Sequence, residues 1–302
     1  MCARSIFRVC LTSSLLLAST STSAGDDNNS WIGQRIMPKW GCKVRIRGQV
    51  VDQMQFDVPY VIQKVNGSRF LVGDDLMGWV NQRDVVPLVD APAYYTKIIR
   101  RNRDSAWAYL NRGTAWLETG VLENALKDET EALRLDPSSP VAYSNRAISW
   151  YRSGEVDKAI QDCTKSIQLD PDYPLAYLNR GKSWFKKREY DKALQDYDEL
   201  VRLEPNRIFG YNGRAWLWAT CSIAKLRDGK RAVESATKAC ELSRWESSFC
   251  IGTLAAAYAE SGDFDAAIHW DEKAISMTTD ARLLSIQRRN LISFRDHKPD
   301  RE

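Results

Sequence analysis

Aromatic and small residues return along this chain at a fixed interval, and the interval predicts its architecture. The segments Trp107-Ala-Tyr-Leu-Asn-Arg-Gly, Val141-Ala-Tyr-Ser-Asn-Arg-Ala and Leu175-Ala-Tyr-Leu-Asn-Arg-Gly start 34 residues apart, a period that belongs to helix-turn-helix arrays. Tyr109, Tyr143, Tyr177 and Tyr211 keep that register, and so do Trp116, Trp150, Trp184 and Trp218. Gly113, Ala147, Gly181 and Ala215 stand between these aromatics, while Ala125, Ala159 and Ala193 follow nine residues after the first three Trp. Side chains this small let two antiparallel helices approach closely. Leu135-Asp-Pro, Leu169-Asp-Pro and Leu203-Glu-Pro close the units, because proline cannot continue a helix and pushes the residue before it out of helical geometry. Aromatics fixed in every unit are expected in the core first, ahead of any glycan-stacking role.

The register carries a longer pattern. Unit one supplies Tyr109, Gly113, Trp116, Gly120, Leu122, Ala125, Ala132 and Pro137, and unit two Tyr143, Ala147, Trp150, Gly154, Val156, Ala159, Ser166 and Pro171. This order of aromatic, small, aromatic, Gly, aliphatic, Ala, small and Pro resembles the tetratricopeptide repeat family, over more than half of the chain. The resemblance implies a mainly α fold, a helix-turn-helix solenoid of about five repeats plus caps. Unit three departs from it with Arg188 at the turn glycine and Leu200 at the second small position, so a slightly splayed helix pair is expected there. In the fourth unit the step from Trp218 to Tyr258 is 40 residues, with the excess mostly in 221–230, which predicts a longer first helix or loop. Ala255, Tyr258, Gly262, Phe264, Ala267 and Ala274 recover the pattern in a fifth unit, so the array is expected over 107–281. Ahead of it, Thr96, Ile99 and Asn102 stand 34 residues before Thr130, Leu133 and Asp136, and residues 90–106 read as a linker and an N-terminal capping helix. Behind it, Leu283, Leu284, Ile286 and Leu291 fall at helical spacing, so 282–302 read as a C-terminal capping helix and tail, one apolar side for the last repeat and one wet side.

Residues 1–24 have a different texture. Arg4 and Arg8 precede an apolar run containing Leu15, Leu16 and Leu17, and small residues lead to Ala24, so a secretory signal peptide cleaved near Gly25 is expected. The run is about ten residues, roughly half of what a bilayer-spanning helix needs. The expectation is therefore export to a periplasmic or extracellular space with no membrane span after cleavage; an uncleaved anchor is the alternative. After a polar linker at 25–30, residues 31–89 read as strands. Lys43-Val-Arg-Ile-Arg alternates, Tyr60-Val-Ile-Gln-Lys-Val is β-branched, Asn66-Gly67 is a hairpin turn, and Arg69-Phe-Leu-Val and Gly78-Trp-Val-Asn follow. About five short strands of this kind predict a small β-barrel. The ending Gly78-Trp-Val-Asn-Gln-Arg-Asp-Val-Val-Pro resembles the closing strand and short helical turn of bacterial Src-homology-3-like domains. That family binds peptides or cell-wall glycans, or packs on neighbouring domains. With no aromatic cluster for a proline-reading groove, packing on the first repeat is favoured. The combination of leader, barrel and Asn-Arg-Gly repeats resembles proteins common in planctomycete bacteria.

Charge and candidate chemistry narrow the function without assigning it. With 44% hydrophobic and 27% charged residues the chain is ordinary for a soluble globular protein of two domains. Its formal charge of +4 includes Arg4 and Arg8 of the leader, so the mature chain carries too little excess for the basic stripe of a nucleic-acid binder. Arg100-Arg-Asn-Arg103, the densest basic run, reads as a solvated helix end. The mature chain keeps Cys42, Cys163, Cys221, Cys240 and Cys250, an odd number with no Cys-x-x-Cys spacing for zinc or redox work. Cys163 and Cys250 read as buried small hydrophobes, and a Cys221–Cys240 bridge is the minority alternative for an oxidising compartment. His269, beside Trp270 and Asp271, and His297 form no metal or triad constellation. With no phosphate-cradling glycine loop and no Gly-x-Ser-x-Gly elbow, the expectation is no catalysis, no metal and no cofactor.

What the resemblance implies about function is a concave groove lined by the first helices of the units. Its lining falls on Trp107, Leu110, Thr114 and Leu117, then Val141, Ser144, Ile148 and Tyr151, then Leu175, Leu178, Lys182 and Phe185. Asn111, Asn145 and Asn179 flank these positions, where amides hold a bound peptide's backbone or, alternatively, brace adjacent helices. Tyr151 and Phe185 lie one residue past Trp150 and Trp184, about 100° around the helix, and are expected to leave the packed seam as hydrophobic anchors. The family's carboxylate-clamp subtype does not fit, because Leu110 and Leu178 stand where it needs polar residues and Lys182 and Lys186 come from a single unit. The expected function is a non-catalytic scaffold for a peptide or partner protein, with peptidoglycan or wall-peptide recognition by the barrel as the alternative.

Overall fold

The computed structural model describes residues 30–39, 42–46, 49–52, 59–72, 78–278 and 280–301. The expected signal peptide, and the linker apart from Ser30, lie outside them. The described residues up to Glu155 form one compact unit, and those from Val156 onward a second.

The first unit opens with a seven-stranded antiparallel sheet: β1 (Arg35–Pro38), β2 (Lys43–Ile46), β3 (Gln49–Asp52), β4 (Tyr60–Asn66), β5 (Arg69–Val72), β6 (Gly78–Asn81) and β7 (Val85–Pro87), in the order β3-β2-β6-β5-β4-β1-β7. Among the described residues there are seven strands where about five are expected, because Gln49–Asp52 folds back on β2 and Val85–Pro87 returns to pair with β1. The β4–β5 turn is the expected one, with Gly67 at φ 56°, a left-handed geometry that glycine adopts without a Cβ clash. Alternation along β4 puts Tyr60 and Ile62 inside while Val61 faces out, and they pack with Ile36, Phe70, Val72, Val80 and Val85. A second cluster ties the sheet to helices α1 (Ala91–Arg101) and α2 (Ala106–Glu118): Met37, Val86 and Leu88 pack on Ala91, Tyr95 and Ala115. The Tyr95 hydroxyl donates to the Pro38 carbonyl at 2.6 Å, and Arg35 pairs with Glu118. The sheet therefore sits against the start of the helices, as the short connection predicts. α3 (Leu122–Leu135) and α4 (Pro140–Ser153) complete this unit. Ser105 and Ser139 cap α2 and α4, each accepting from a backbone N–H three residues on.

The regular elements among the described residues of the second unit are helices: α5 (Val156–Leu169), α6 (Pro174–Lys186), α7 (Tyr190–Leu203), α8 (Ile208–Thr220), α9 (Gly229–Leu242), α10 (Ser248–Ser261), α11 (Phe264–Met277) and α12 (Ala281–Arg295). Arg188, at the missing turn glycine, adopts φ 63°, the left-handed conformation that Gly154 and Gly262 take at 89° and 88°. The α6–α7 turn thus keeps its shape at a cost of roughly 1–2 kcal/mol. Bulk in the third repeat is absorbed by glycine on both sides. A Cβ on Gly181 of α6 or Gly213 of α8 would come within 2.8 Å of the Tyr197 ring. The extra residues of the fourth unit go into the connection after α8, which keeps 13 residues, so the insertion is a loop and not a longer helix. Arg227 holds that loop, donating to the Cys221 carbonyl at 3.1 Å and pairing with Glu260 at 3.0 Å. Cys221 and Cys240 are free and buried, as are Cys42, Cys163 and Cys250, so the bridge considered for the fourth unit is absent. Burial pushes the Cys42 and Cys240 thiols up to about 12. The capping face of α12 also differs from expectation. Gln287, Asn290 and Phe294 are its buried residues, while Leu283, Leu284, Ile286 and Leu291 are half-buried. The Gln287 amide donates to the Ser248 carbonyl at 3.2 Å, so a polar residue tethers α12 to the start of α10 in this seam, while its buried Oε1 has no partner.

Candidate binding surfaces on the first helices

The first helices split the expected lining into two sets. In the first unit, Trp107 and Leu110 of α2 and Val141, Ile148 and Tyr151 of α4 are half-buried and keep accessible surface. Asn111, Thr114, Leu117, Ser144 and Asn145 are buried. Their donors are used within the fold: Asn111 donates to the Trp107 carbonyl at 2.8 Å, Thr114 to the Leu110 carbonyl at 3.1 Å, and Asn145 to the Thr114 hydroxyl at 3.0 Å, while the buried Oδ1 of Asn111 has no partner. Asn145 thus braces α4 against α2, the alternative reading of the asparagines. In the second unit Leu175, Leu178, Asn179 and Phe185 are buried, and Lys182 is half-buried.

Phe185 corrects the expected seam. It is 8% exposed and packs edge-on against Tyr190 at 5.3 Å between centroids. The same helix position holds Leu117, Ala219 and Ala259, all buried, and only Tyr151 stays half open. The preceding position, expected in the core, is half-buried at Trp116, Trp150 and Trp184, and Trp218 alone falls among the buried residues at 9% exposure. The packed seam therefore runs one residue further round the helix. A Trp ring is large enough to touch the core and still show its far edge, where Lys192 sits 4.5 Å over Trp184.

A polar ladder links the helices, and the sequence reading passed over it. Arg112 forms a two-toothed pair with Asp128, Nε to Oδ2 and Nη2 to Oδ1 both at 2.7 Å, while its Nη1 donates to Thr96 at 2.9 Å. Arg180 repeats this on Asp196 at 2.9 and 2.7 Å and on Thr164 at 3.3 Å. Each arginine joins its own second helix to the second helix before it, and lies over a register tyrosine: Tyr109 at 5.6 Å, Tyr177 at 5.7 Å. The signal was present, since Arg112, Arg146, Arg180 and Arg214 recur at the 34-residue step, as do Asp128, Asp162 and Asp196. Burial holds the Asp196 carboxyl above its usual range even with Arg180 bonded to it, which marks the pair as a device for register more than for net stability.

The fifth repeat ends the ladder. Leu254 occupies the arginine position and Trp270 the aspartate position. Next to it Asp271 is fully buried with neither carboxylate oxygen hydrogen-bonded. Burial, then the charges of Asp300 and Glu272, push this carboxyl up to about 7. His269 is exposed with its ring edge-on to Trp270, and His297 is exposed on the tail. Among the described residues no three His, Cys, Asp or Glu side chains converge as a metal site, and no helix is long and apolar enough to cross a membrane.

Residues 90–140, 140–173, 174–207 and 250–281 match models of the tetratricopeptide repeat. No curated protein sequence matches the chain. Among solved structures, a tetratricopeptide repeat protein from Parabacteroides merdae is similar with a TM-score of 0.57 at 20% identity, over 70% of this chain and 81% of that one. A thermophilic tetratricopeptide repeat protein of Thermus thermophilus, TTC0263, gives 0.53 at 19% identity over 62% of this chain and 99% of that one. Yeast Tom70 gives 0.53 at 21% identity over 68% of this chain, but only 43% of its own length is spanned. At these identities the likeness is one of fold.

Proposed function

Because the chain carries tetratricopeptide repeats, we propose that it is a non-catalytic, exported scaffold that binds a peptide or a partner protein on the first-helix faces of its array. The observation that carries the reading is on the first unit. Leu110, Ile148 and Tyr151 leave apolar surface on α2 and α4, while the polar side chains between them are turned inward and bonded. A face whose hydrogen-bond donors are already bonded, and whose apolar atoms are still open to water, gains most from covering by another apolar surface. Trp107, Val141 and Lys182 are the remaining accessible members of the expected lining. The export half of the reading rests on the pattern of residues 1–24. The sheet is assigned to packing, because Met37, Val86 and Leu88 are consumed by α1 and α2.

The test compares capture of envelope proteins by the parent chain and by Leu110→Ser/Tyr151→Ser. Each anchor contributes on the order of 1–2 kcal/mol, so the expected result is loss of the partner about tenfold or more with little change in melting temperature. A captured partner retained equally by both chains overturns the assignment of this face. For export, mass analysis of protein from its native cell should show a new amino terminus near Gly25, and an intact Met1 removes that half.

A further inference from the structure

The arginine ladder has a break that leaves a donor without a partner. In the fourth repeat Arg214 lies over Tyr211 at 5.2 Å, as its counterparts lie over theirs, and its Nη1 still reaches back to the preceding second helix, donating to Asp198 at 2.9 Å. The edge formed by Nε and Nη2 has changed its surroundings. The register position of Asp128 and Asp196 is occupied by Ser235, whose hydroxyl is turned away and donates to the Tyr211 carbonyl at 2.9 Å. Nε of Arg214 is buried and has no hydrogen-bond partner. Beside it opens a cavity of about 200 Å³ lined by Tyr211, Trp218, Ser235 and four charged residues, Arg214, Arg231, Lys238 and Glu234. The Trp218 ring is flanked by two guanidiniums, Arg214 at 5.5 Å and Arg231 at 5.1 Å.

We propose that this cavity is a carboxylate-binding site, in which the Nε–Nη2 edge of Arg214 takes a carboxylate in the place that Asp128 and Asp196 hold in their own repeats. The chain itself supplies the template. Twice, at Arg112 and at Arg180, the same helix position stacked on the same tyrosine holds a carboxylate by those two nitrogens. A planar guanidinium edge matches the two oxygens of a carboxylate, which makes such pairs stronger than a single neutral hydrogen bond. A buried donor left unsatisfied is destabilising until something accepts from it, and the Ser235 hydroxyl is committed to the Tyr211 carbonyl. Lys238 is itself paired with Glu241 at 3.5 Å and Nη1 of Arg214 with Asp198, so Arg231 supplies the further positive charge at the cavity, with Glu234 opposing it. The site uses none of the first-helix residues Leu110, Ile148 and Tyr151, and stands or falls apart from the reading above. Its ligand is a carboxylate, carried either by an Asp or Glu side chain of a polypeptide or by a free small acid.

The experiment is nitrogen-15 NMR of arginine Nε–H groups in the full chain, with the Arg214 signal assigned by its loss in Arg214→Lys. N-acetylaspartate and the peptide acetyl-Gly-Gly-Asp-Gly-Gly-amide are the two probes, and the Asn-containing peptide is the control. The Arg214 signal should move with a carboxylate probe and not with the control. Response to both carboxylates means that a polypeptide side chain fits; response to N-acetylaspartate alone restricts the site to a small acid. In Ser235→Asp the signal should already lie near those of Arg112 and Arg180, and its response to either probe should fall at least tenfold. No movement with either carboxylate, or an equal response in Ser235→Asp, overturns the proposal. A melting curve of Ser235→Asp no lower than the parent's shows that the variant is folded.

Discussion

The first and fifth repeats use one backbone plan with opposite chemistry. In the first, Gly113 brings α2 against α3, Arg112 clamps Asp128, and the buried Glu129 accepts from Ser149. In the fifth, Ala255 is the small residue, Leu254 and Trp270 replace the clamp, and Asp271, at the helix position of Glu129, is buried without a hydrogen bond. Trp270 finds its partner elsewhere, stacked on Trp245 at 5.0 Å. The difference separates two requirements that coincide in the first repeat. Close helix approach needs only the small residues. The ion pair is an addition that fixes which second helices an arginine joins, and in the fifth repeat apolar residues take its place.

The largest effect should come from breaking the clamp on one side. Arg180→Leu leaves Asp196 buried without its partner and should destabilise by about 3–5 kcal/mol, whereas Arg180→Leu/Asp196→Leu, which makes the third repeat resemble the fifth, should recover most of that loss. Urea melts of the two variants make the comparison, and a double variant as unstable as the single one means that the ladder is needed for packing itself.

Asp271 gives the next effect, and its sign follows from the direction of the shift. Its carboxyl titrates near 7 in the fold against 3.8 for the free group, so the folded state holds the proton more tightly. The stability linked to this group is fully present below about 3.8, falls as pH rises toward 7 and is flat above. Asp271→Asn removes that dependence, which is on the order of 4 kcal/mol. The variant should therefore gain on the parent between pH 4 and pH 8 in thermal melts. Parallel pH profiles break the comparison, because Asp271 would then be as well accommodated as Glu129.

The smallest effect is at Arg188. Arg188→Gly should raise stability by about 1 kcal/mol, since glycine adopts the left-handed turn without the Cβ penalty. Arg188→Ala should show no such gain.

The repeat plan was legible because its constraints are local. In the first three repeats, glycine or a substitute at the left-handed turn, proline after the second helix and small residues at the crossing recur at a spacing that only helix pairs satisfy, and so the element limits at α2 to α7 follow the pattern closely. The candidate surface was legible in part. Counting one residue past Trp150 and Trp184 gives an angle around a helix, yet it does not say whether a neighbour covers that angle. At Tyr151 the side chain stays half open, and at Phe185 Tyr190 closes over it.

By itself the sequence determined the helix-pair period, the turns of the first three repeats, the place of the extra residues in the fourth and the strand-rich start, because each depends on backbone conformations that a few neighbouring residues decide. Only the tertiary structure decided which side of each first helix is sealed, that the asparagines are turned inward, and that Val85–Pro87 closes on β1. It also decided that Arg214 keeps its backward contact to Asp198 while losing a forward one. These are relations between residues distant along the chain. Whether a polar side chain is satisfied depends on what the packing of the other helices brings within about 3 Å of it.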